Sequence, residues 1–534
     1  MQSTMQDFPL TTRMLFEHGR RVYPKSEVVT FDGTRCRRST FSQVGERVEQ
    51  LAAALRRLGI HPGDRVGTFC WNTQEHLEAY FAVPNMGAIL HTVNIRLSPD
   101  QVAYIINHAE DKVLIADDSL VPLLVDVLPK LTTVEHVIIV GEGPESKVIP
   151  GSLRYEELLA NENGFEWPEL DERSAALVCY SSGTTGDPKG VVYSHRARVL
   201  HTLALASGAA LGLVERDRTL MIVPMFHIFA WGMPYAGWMV GSDLIFPGRY
   251  LQAQPLAGLI KNERITCTAA VPTIFNDLLR YADRATVDFS SLRLACCGGS
   301  SVPESLMQQF LDRFRLEIVQ GWGMTETSAI STLAYVPKDS DTGSEMHWRD
   351  SAGRILHGIE MRVVGEDGHP LPWDGKSVGE LEARGPWVTS SYYRDPSSDN
   401  FHDGWLRTGD VGTIDDHGYL RISDRLKDII KSGGEWISSV DLENALMAHP
   451  AVREAAVIGI DDDRFQERPM ACVVLIDNAD VSIEDLKSFL NSKVTKWWIP
   501  EHWTIVNEIP RTSVGKFDKR RLRGMHANGD LPSQ

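Results

Sequence analysis

A short apolar run at residues 176–180 ends in a loop of glycine and hydroxyl side chains, and this pairing constrains the fold more than any other feature of the chain. A second predicted strand, at residues 317–320, also ends in a glycine-rich turn. Around these runs, helical and strand patterns alternate, which predicts α/β architecture. Ligands in α/β proteins bind where strands end in such loops, so both loops are candidate binding segments.

Local patterns predict further elements. Thr40 and Gln43 predict a capping box for a helix whose apolar residues recur at helical spacing, and a strand follows at residues 65–70. Toward the C-terminus, the pattern predicts a helix at residues 440–447, strands at 455–460 and 471–476, and a helix capped by Ser482. We therefore expect a separate unit there, joined through the charged stretch 423–428, which should be exposed.

Composition excludes several classes of protein. The 534 residues carry a formal net charge of −17, which argues against general affinity for nucleic acids or anionic membranes. The seven cysteines form no C-x-x-C motif, which favours a reducing compartment. Because no basic segment followed by an apolar run begins the chain, we expect no secretory signal and a cytoplasmic protein.

Residues 220–241 carry no formal charge and are numerous enough to span a bilayer. They include Pro224, Gly232, Pro234 and Gly237, which are too many helix breakers for one span. A buried, bent pocket wall is the better prediction.

The loop after the first apolar run has the composition of a phosphate-binding segment. Glycines let backbone N–H groups converge on phosphate oxygens, and hydroxyls and a lysine add donors and charge. On the residues alone, a polyphosphate-binding loop and a solvated turn both fit, and the Walker A pattern is not matched. The loop consists of Ser181, Ser182, Gly183, Thr184, Thr185, Gly186, Asp187, Pro188, Lys189 and Gly190.

This loop resembles the phosphate-loop signature of the acyl-adenylate-forming superfamily, which includes acyl-CoA synthetases, luciferases and peptide-synthetase adenylation domains. Four more segments resemble that superfamily's motifs, in its order: residues 321–327, 405–410, 424–435 and 510–516. The resemblance covers nearly the whole chain. It is strongest to bacterial fatty acyl-CoA synthetases, particularly at residues 223–227 and 431–439.

The resemblance implies an α/β fold, with a large N-terminal domain of α/β subdomains (1–426), a small mobile α+β C-terminal domain (427–534) and the active site at their interface. It implies ATP, Mg²⁺ and coenzyme A, and a two-step reaction that activates a fatty carboxylic acid as acyl-AMP and transfers it to CoA. An acyl-AMP ligase that loads a carrier protein is the alternative. A luciferase-type oxygenase and an inactive binding module are less favoured. The acyl-CoA synthetases that the chain resembles suggest a homodimer.

The resemblance also assigns roles to residues. Lys516, Thr325 and Glu326 would be catalytic, and Thr184 and Glu326 would hold the metal. Trp322 would stack on adenine, although a lone aromatic is more often a core residue. Asp410 would accept hydrogen bonds from the ribose hydroxyls. The nucleotide-binding set is Ser181, Ser182, Gly183, Thr184, Thr185, Gly186, Lys189, Gly298, Gly299, Ser300, Gln320, Gly321, Trp322, Gly323, Asp410 and Arg425.

For the acyl group, His227 and Trp231 would act as gates, with core packing as the alternative for each. Lys427 would be the hinge between the domains. The loop that forms the CoA tunnel would comprise Lys431, Gly433, Gly434, Glu435 and Trp436.

Overall fold

A computed structural model describes residues 1, 3–181, 187–395, 398–433, 435–476, 479–512 and 516–532. Among them, no helix combines the length and the apolar character that crossing a membrane requires. The following predictions lie outside the described residues: Ser182, Gly183, Thr184, Thr185, Gly186, Gly434 and the side chain of Glu435.

The described part of the chain contains fifteen α-helices. They are α1 (Thr12–Val22), α2 (Phe41–Arg57), α3 (Gln74–Asn85), α4 (Pro99–Ala109), α5 (Val121–Leu124), α6 (Tyr155–Leu159), α7 (His195–Ala206), α8 (Met233–Val240), α9 (Ala253–Asn262), α10 (Pro272–Ala282), α11 (Glu304–Phe314), α12 (Glu345–Arg349), α13 (Ser439–Met447), α14 (Ile483–Leu490) and α15 (Lys519–Ala527).

The same residues form 26 strands. They are β1 (Glu27–Phe31), β2 (Cys36–Thr40), β3 (Arg65–Phe69), β4 (Ile89–Thr92), β5 (Asp111–Asp117), β6 (His136–Val140), β7 (Leu153–Arg154), β8 (Ala175–Tyr180), β9 (Gly190–Ser194), β10 (Arg218–Leu220), β11 (Asp243–Phe246), β12 (Cys267–Ala270), β13 (Leu294–Gly298), β14 (Ile318–Met324), β15 (Ala329–Leu333), β16 (Gly353–Ile355), β17 (Glu360–Val364), β18 (Gly379–Arg384), β19 (Phe401–His402), β20 (Trp405–Ile414), β21 (Tyr419–Arg425), β22 (Ile430–Ser432), β23 (Glu435–Ile437), β24 (Val452–Asp462), β25 (Gln466–Leu475) and β26 (His502–Ile505).

Three sheets organise these strands. A seven-stranded sheet has the order β7-β6-β5-β3-β4-β8-β9 and is parallel except for the β8–β9 pair. A fourteen-stranded sheet has the order β17-β18-β20-β21-β16-β15-β14-β13-β12-β10-β11-β1-β2, with β19 beside β20. In this spatial order, neighbouring strands from β14 to β1 pair in parallel. Neighbouring strands from β17 to β14 pair antiparallel.

The third sheet is smaller and lies in the C-terminal part of the chain. It has the order β23-β22-β25-β24, with β26 beside β25. One of its faces packs against α13 and α14 in a separate core that includes Ile430, Leu442, Val457 and Leu486. The fold is therefore mixed α/β, with a large N-terminal domain and a smaller C-terminal domain.

Local sequence signals account for several of these elements. The Thr40 hydroxyl accepts from the backbone N–H of Gln43 and the Gln43 side chain returns to the Thr40 N–H, so the predicted capping box at α2 is confirmed. Ser482 caps α14 in the same way, with Asp485 as its partner. The predicted strands at 65–70, 176–180, 455–460 and 471–476 correspond to β3, β8, β24 and β25.

Two expectations need correction. The run at 317–320 does not end at the glycine-rich turn, because β14 continues through the glycines to Met324 and pairs with β15. The charged stretch 423–428 is only partly exposed. Asp424 is buried and accepts from the backbone N–H of Ser439, and Asp428 is buried beside Arg523 at 2.7 Å. Both carboxylates are buried because the C-terminal domain supplies their partners.

Candidate functional site

A cavity of about 510 Å³ opens between the ends of the parallel strands and the C-terminal domain. The predicted site residues that line it are Ser181, Lys189, His227, Trp231, Gly299, Gly321, Trp322, Gly323, Thr325, Glu326, Arg425, Lys427 and Lys516. The wall also includes apolar side chains: Ile222, Val223, Ile228, Val271, Ile274 and Ile330. One end of the space is therefore polar and charged, and the other is apolar.

Asp410 lies directly behind the polar wall. It pairs with Arg425 across the β20–β21 ladder, and Arg425 Nε lies 2.6 Å from its Oδ1 atom. The indole Nε1 of Trp322 donates to Oδ2 at 2.7 Å. The neighbouring carboxylate raises the pKa of Arg425, so the guanidinium stays charged. Each carboxylate oxygen keeps acceptor capacity for a further donor.

Glu326 and Thr325 lie in a single helical turn after β14, and both are buried. The hydroxyl of Tyr392 donates to Oε1 of Glu326 at 2.7 Å. The hydroxyl of Tyr193 donates to the Thr325 carbonyl at 2.6 Å. These two tyrosines position the turn, and the sequence analysis missed both, because neither belongs to a motif that the analysis recognised.

The start and end of the phosphate-loop candidate are held together. The Ser181 N–H donates to the Lys189 carbonyl at 2.9 Å, and the Lys189 N–H donates to the Ser181 hydroxyl at 3.1 Å. The Lys189 ammonium lies 4.6 Å from the centre of the Tyr392 ring and 3.7 Å from Asp395. Lys189 therefore presents its charge beside the residue that holds Glu326.

Glycines allow close packing of the strand ends beside the cavity. A Cβ atom at Gly298 would lie 2.5 Å from the Gly321 carbonyl oxygen and 3.4 Å from the ring of Trp231. A Cβ at Gly323 would collide with the Ala329 carbonyl. Only glycine allows β13, β14 and the Trp231 ring to approach so closely.

Two predicted nucleotide residues take other positions. The side chain of Gln320 is buried and is engaged with Val302 N and the Ser351 carbonyl. Ser300 is exposed. Among the described residues, neither belongs to the cavity wall.

The apolar wall contains an unusual turn at Ile228–Gly232. Its four non-glycine residues have φ values between 42° and 56°, and Gly232 has φ 80°. A left-handed backbone costs about 1–2 kcal/mol per non-glycine residue, so packing around the turn must hold it in place. Trp231 is 7% exposed and Phe229 is fully buried.

His227 immediately precedes this turn and lines the cavity. Burial, reinforced by the charges of Lys516 and Arg96, lowers the pKa of His227 to about 3. The ring is therefore neutral at physiological pH. It can contact both an apolar chain and a polar group.

Lys516 reaches the polar end of the cavity from the C-terminal domain. Burial, reinforced by the charge of Arg425 and opposed by Asp410 and Glu326, lowers its pKa to about 8. Its ammonium form still dominates near neutral pH. The Lys516 ammonium thus lines the same polar end of the cavity as Glu326 and Arg425.

The predicted hinge residue Lys427 is exposed and lies at the cavity wall. Lys431 lies 5.7 Å from the centre of the Trp436 ring, and Gly433 has φ 60°. In the part of the chain that the structure describes, these three members of the predicted CoA loop lie outside the cavity wall.

Comparison with known proteins identifies one family. The AMP-binding enzyme family matches residues 16–393, and the AMP-binding enzyme C-terminal domain matches residues 441–516. A long-chain-fatty-acid–CoA ligase of Thermus thermophilus is 44% identical over 533 residues, which cover 98% of this chain and 97% of that protein. A 3-methylmercaptopropionyl-CoA ligase of Ruegeria lacuscaerulensis is 40% identical and covers 98% of each chain.

The fold agrees with these matches. The crystal structure of an anthranilate CoA ligase in complex with anthranoyl-AMP has a TM-score of 0.88 to this chain at 29% identity, and covers 98% of this chain and 100% of that one. The resemblance drawn from the sequence motifs is confirmed, and the chain belongs to the AMP-binding enzyme family.

Proposed function

We propose that the protein activates a hydrophobic carboxylic acid with ATP and transfers the acyl group to CoA. A carboxylate oxygen of the acid attacks the α-phosphorus of ATP, and pyrophosphate leaves. The CoA sulfur then attacks the carbonyl carbon of acyl-AMP, and AMP leaves. The products are acyl-CoA, AMP and pyrophosphate.

One observation carries the proposal: a single cavity joins an apolar wall to a polar end that holds Lys516, Glu326 and Arg425. An aliphatic or otherwise hydrophobic acid fits the apolar part, with its carboxylate toward His227. The named activities of the relatives at 44% and 40% identity support an acid–CoA ligase. Since those two acids differ in size and chemistry, the names support the reaction class more than a particular acid.

Lys516 would act on the first step. A carboxylate and an α-phosphate repel each other, and an ammonium between them neutralises the charge that develops in the transition state. Asp410 and Arg425 would position the ribose, and Trp322 would lie beside adenine. The glycines at 298, 299, 321 and 323 would allow the nucleotide to approach the strand ends.

The residues present fit a magnesium ion. Glu326 offers carboxylate oxygens at the cavity wall, and Tyr392 orients that carboxylate at 2.7 Å. Oxygen donors of this kind suit Mg²⁺, so Glu326 would hold the ion together with Thr184. When bound, the ion would neutralise charge on the phosphates of ATP.

The second step needs a second arrangement of the domains. Lys516 occupies the polar end of the cavity, whereas Lys431, Gly433 and Trp436 lie away from it. We propose that the C-terminal domain, residues 427–534, turns about Lys427 after acyl-AMP forms. The turn would withdraw Lys516 and bring the 431–436 loop to the acyl phosphate.

The test is a screen of straight-chain, branched and aryl carboxylic acids of graded length with ATP, Mg²⁺ and CoA. Pyrophosphate and AMP are measured with and without CoA, and the thioester is identified by mass. We expect acid-dependent AMP release that requires CoA. Pyrophosphate release without any thioester would favour a ligase that loads a carrier protein, and no acid-dependent release at all would refute the proposal.

A further inference from the structure

Arg198 in α7 is a fully buried cation, and among the described residues its one hydrogen-bond acceptor is a backbone carbonyl rather than a carboxylate. Its Nε and Nη1 atoms have no hydrogen-bond partner in the same part of the chain, and Nη2 reaches only the Ser328 carbonyl, at 3.5 Å. A buried charge is costly unless something compensates it. The position of Arg198 therefore calls for a physical reason.

Aromatic rings surround the guanidinium. Its Cζ atom lies 5.3 Å from the centre of the Phe229 ring, 5.8 Å from that of Tyr235 and 6.0 Å from that of Tyr193. Ring faces attract a cation at these distances, most strongly where water is excluded. Arg198 is thus held by ring faces rather than by an ion pair.

One of these rings belongs to the left-handed turn at Ile228–Gly232. A second contact reaches the end of the same turn, where a Cβ atom at Gly232 would lie 3.1 Å from Nη1 of Arg198 and 2.8 Å from the ring of His201. The opposite side of the turn faces the cavity, through Ile228 and Trp231. Arg198 therefore supports the cavity wall from behind.

His201 can lie next to the Arg198 guanidinium without repelling it. It lies one turn further along α7 and is buried. Burial, reinforced by the charge of Arg198, holds the pKa of His201 well below its usual range. A neutral ring adds no repulsion to the single charge behind the wall.

We propose that Arg198 is a positioning residue that sets acyl specificity by holding the Ile228–Gly232 turn in its left-handed form. Four consecutive non-glycine residues do not keep left-handed backbone torsions by their own conformational preferences, because those torsions are strained. Without the guanidinium, Phe229 keeps its ring contacts with Tyr80 and Tyr193 but loses the cation over its face, and the turn relaxes toward right-handed torsions. Ile228 and Trp231 then move, and the apolar part of the cavity changes length and shape.

This inference rests on the proposed acid activation, so the wild-type acid screen comes first. If the wild type activates no acid, the proposed function fails. If the wild type has a defined chain-length profile, the variants Arg198→Leu and Arg198→Lys are compared with it. Arg196→Leu is the matched control, because Arg196 lies on the same helix but is exposed and pairs with Glu172.

For Arg198→Leu we expect the ratio of kcat/KM between a short and a long acid to change about tenfold, the scale of a one- or two-carbon misfit in an apolar pocket. The KM for ATP should stay within about twofold. Arg198→Lys keeps a cation among the rings and should return the profile toward wild type, and Arg196→Leu should keep the wild-type profile.

A folded Arg198→Leu enzyme with the wild-type ratio would overturn the inference. So would equal changes in the KM for ATP and for the acid, because a general loss of structure affects both sites. If Arg198→Leu does not fold, Phe229→Leu decides the matter, since it removes the ring partner and keeps an apolar side chain. A changed acid ratio at constant KM for ATP in that variant supports the inference, and an unchanged ratio overturns it.

Discussion

The indole of Trp322 donates a hydrogen bond to Asp410, with 2.7 Å between Nε1 and Oδ2. Arg425 occupies the other carboxylate oxygen at 2.6 Å. In this protein the aromatic residue therefore orients the carboxylate that we assign to the ribose, in addition to any contact with adenine.

Trp322→Phe should raise the KM for ATP about tenfold or more. The change keeps an aromatic face but removes a hydrogen bond to a charged group, which contributes about 1.5–3 kcal/mol. Steady-state kinetics at saturating acid and CoA measure the effect. Trp373→Phe is the control, because Trp373 is an exposed tryptophan outside the cavity wall. An unchanged KM for ATP would show that the hydrogen bond does not serve nucleotide binding.

Lys516→Ala should slow acyl-adenylate formation by roughly 10²-fold or more, the scale for loss of an electrostatic contact in the transition state. Thioester formation from supplied acyl-AMP should be largely spared. Pyrophosphate release and CoA consumption measure the two half-reactions separately. An equal loss in both would show that the role assigned to Lys516 is wrong.

The rate of adenylation should fall as the pH rises above 8. Lys516 has a pKa lowered to about 8, so its ammonium form is present below that pH and is lost above it. Pre-steady-state pyrophosphate release between pH 6 and pH 10 gives the profile. Lys516→Arg keeps its charge over this range and should remove the alkaline decline, even at a lower rate. A wild-type rate that stays flat to pH 10 would contradict the assignment.

Tyr392→Phe should raise the concentration of Mg²⁺ needed for half-maximal activity by about tenfold, the lower end of the effect of losing a group that orients a metal ligand. The reason is the lost hydrogen bond to Oε1 of Glu326. Activity is titrated with Mg²⁺ at fixed ATP. Tyr393→Phe, at the neighbouring residue outside the cavity wall, should behave as wild type. Identical Mg²⁺ curves for Tyr392→Phe and wild type would contradict the proposed positioning.

Lys427→Pro should preserve adenylation and abolish most CoA-dependent turnover. The backbone N–H groups of Asp428 and Ile429 both donate to the Arg425 carbonyl, so Lys427 lies inside a turn between the domains. Proline fixes φ and restricts the preceding residue, which should trap one arrangement. Lys427→Ala removes the same side chain but keeps the torsional freedom, and should retain overall activity. Full activity of a folded Lys427→Pro enzyme would remove this residue as the hinge.

Some features of the fold are encoded locally and were therefore predictable. The α2 and α14 capping boxes need only residues three apart, and the strand patterns at β3 and β8 need only their own residues. The helix breakers between 220 and 241 correctly indicated a bent, buried segment. The phosphate-loop candidate, the glycine-rich segment 321–327 and Lys516 were singled out because each stands in a motif, and their roles stay predictions.

Other features depend on distant partners. The sequence predicted that Asp424 and Asp428 are exposed charges. They are buried because Ser439 and Arg523 of the C-terminal domain bind their carboxylates. Gln320 was predicted to bind the nucleotide, yet its side chain bonds to the Val302 N–H and the Ser351 carbonyl. No pattern of neighbouring residues indicates such contacts.

The sequence by itself determined the family, the α/β class and the set of chemical groups, because motifs, caps and periodicity act over a few residues. Only the tertiary structure decided which groups meet: Trp322 with Asp410, Tyr392 with Glu326, and Arg198 with the rings behind the cavity wall. The physical reason is distance along the chain. The partners in the first two pairs are 88 and 66 residues apart, and such contacts form only when the packed sheets bring strand ends and helices together. The left-handed turn at Ile228–Gly232 has the same origin, because its residues adopt torsions that their own preferences disfavour and that the surrounding core enforces.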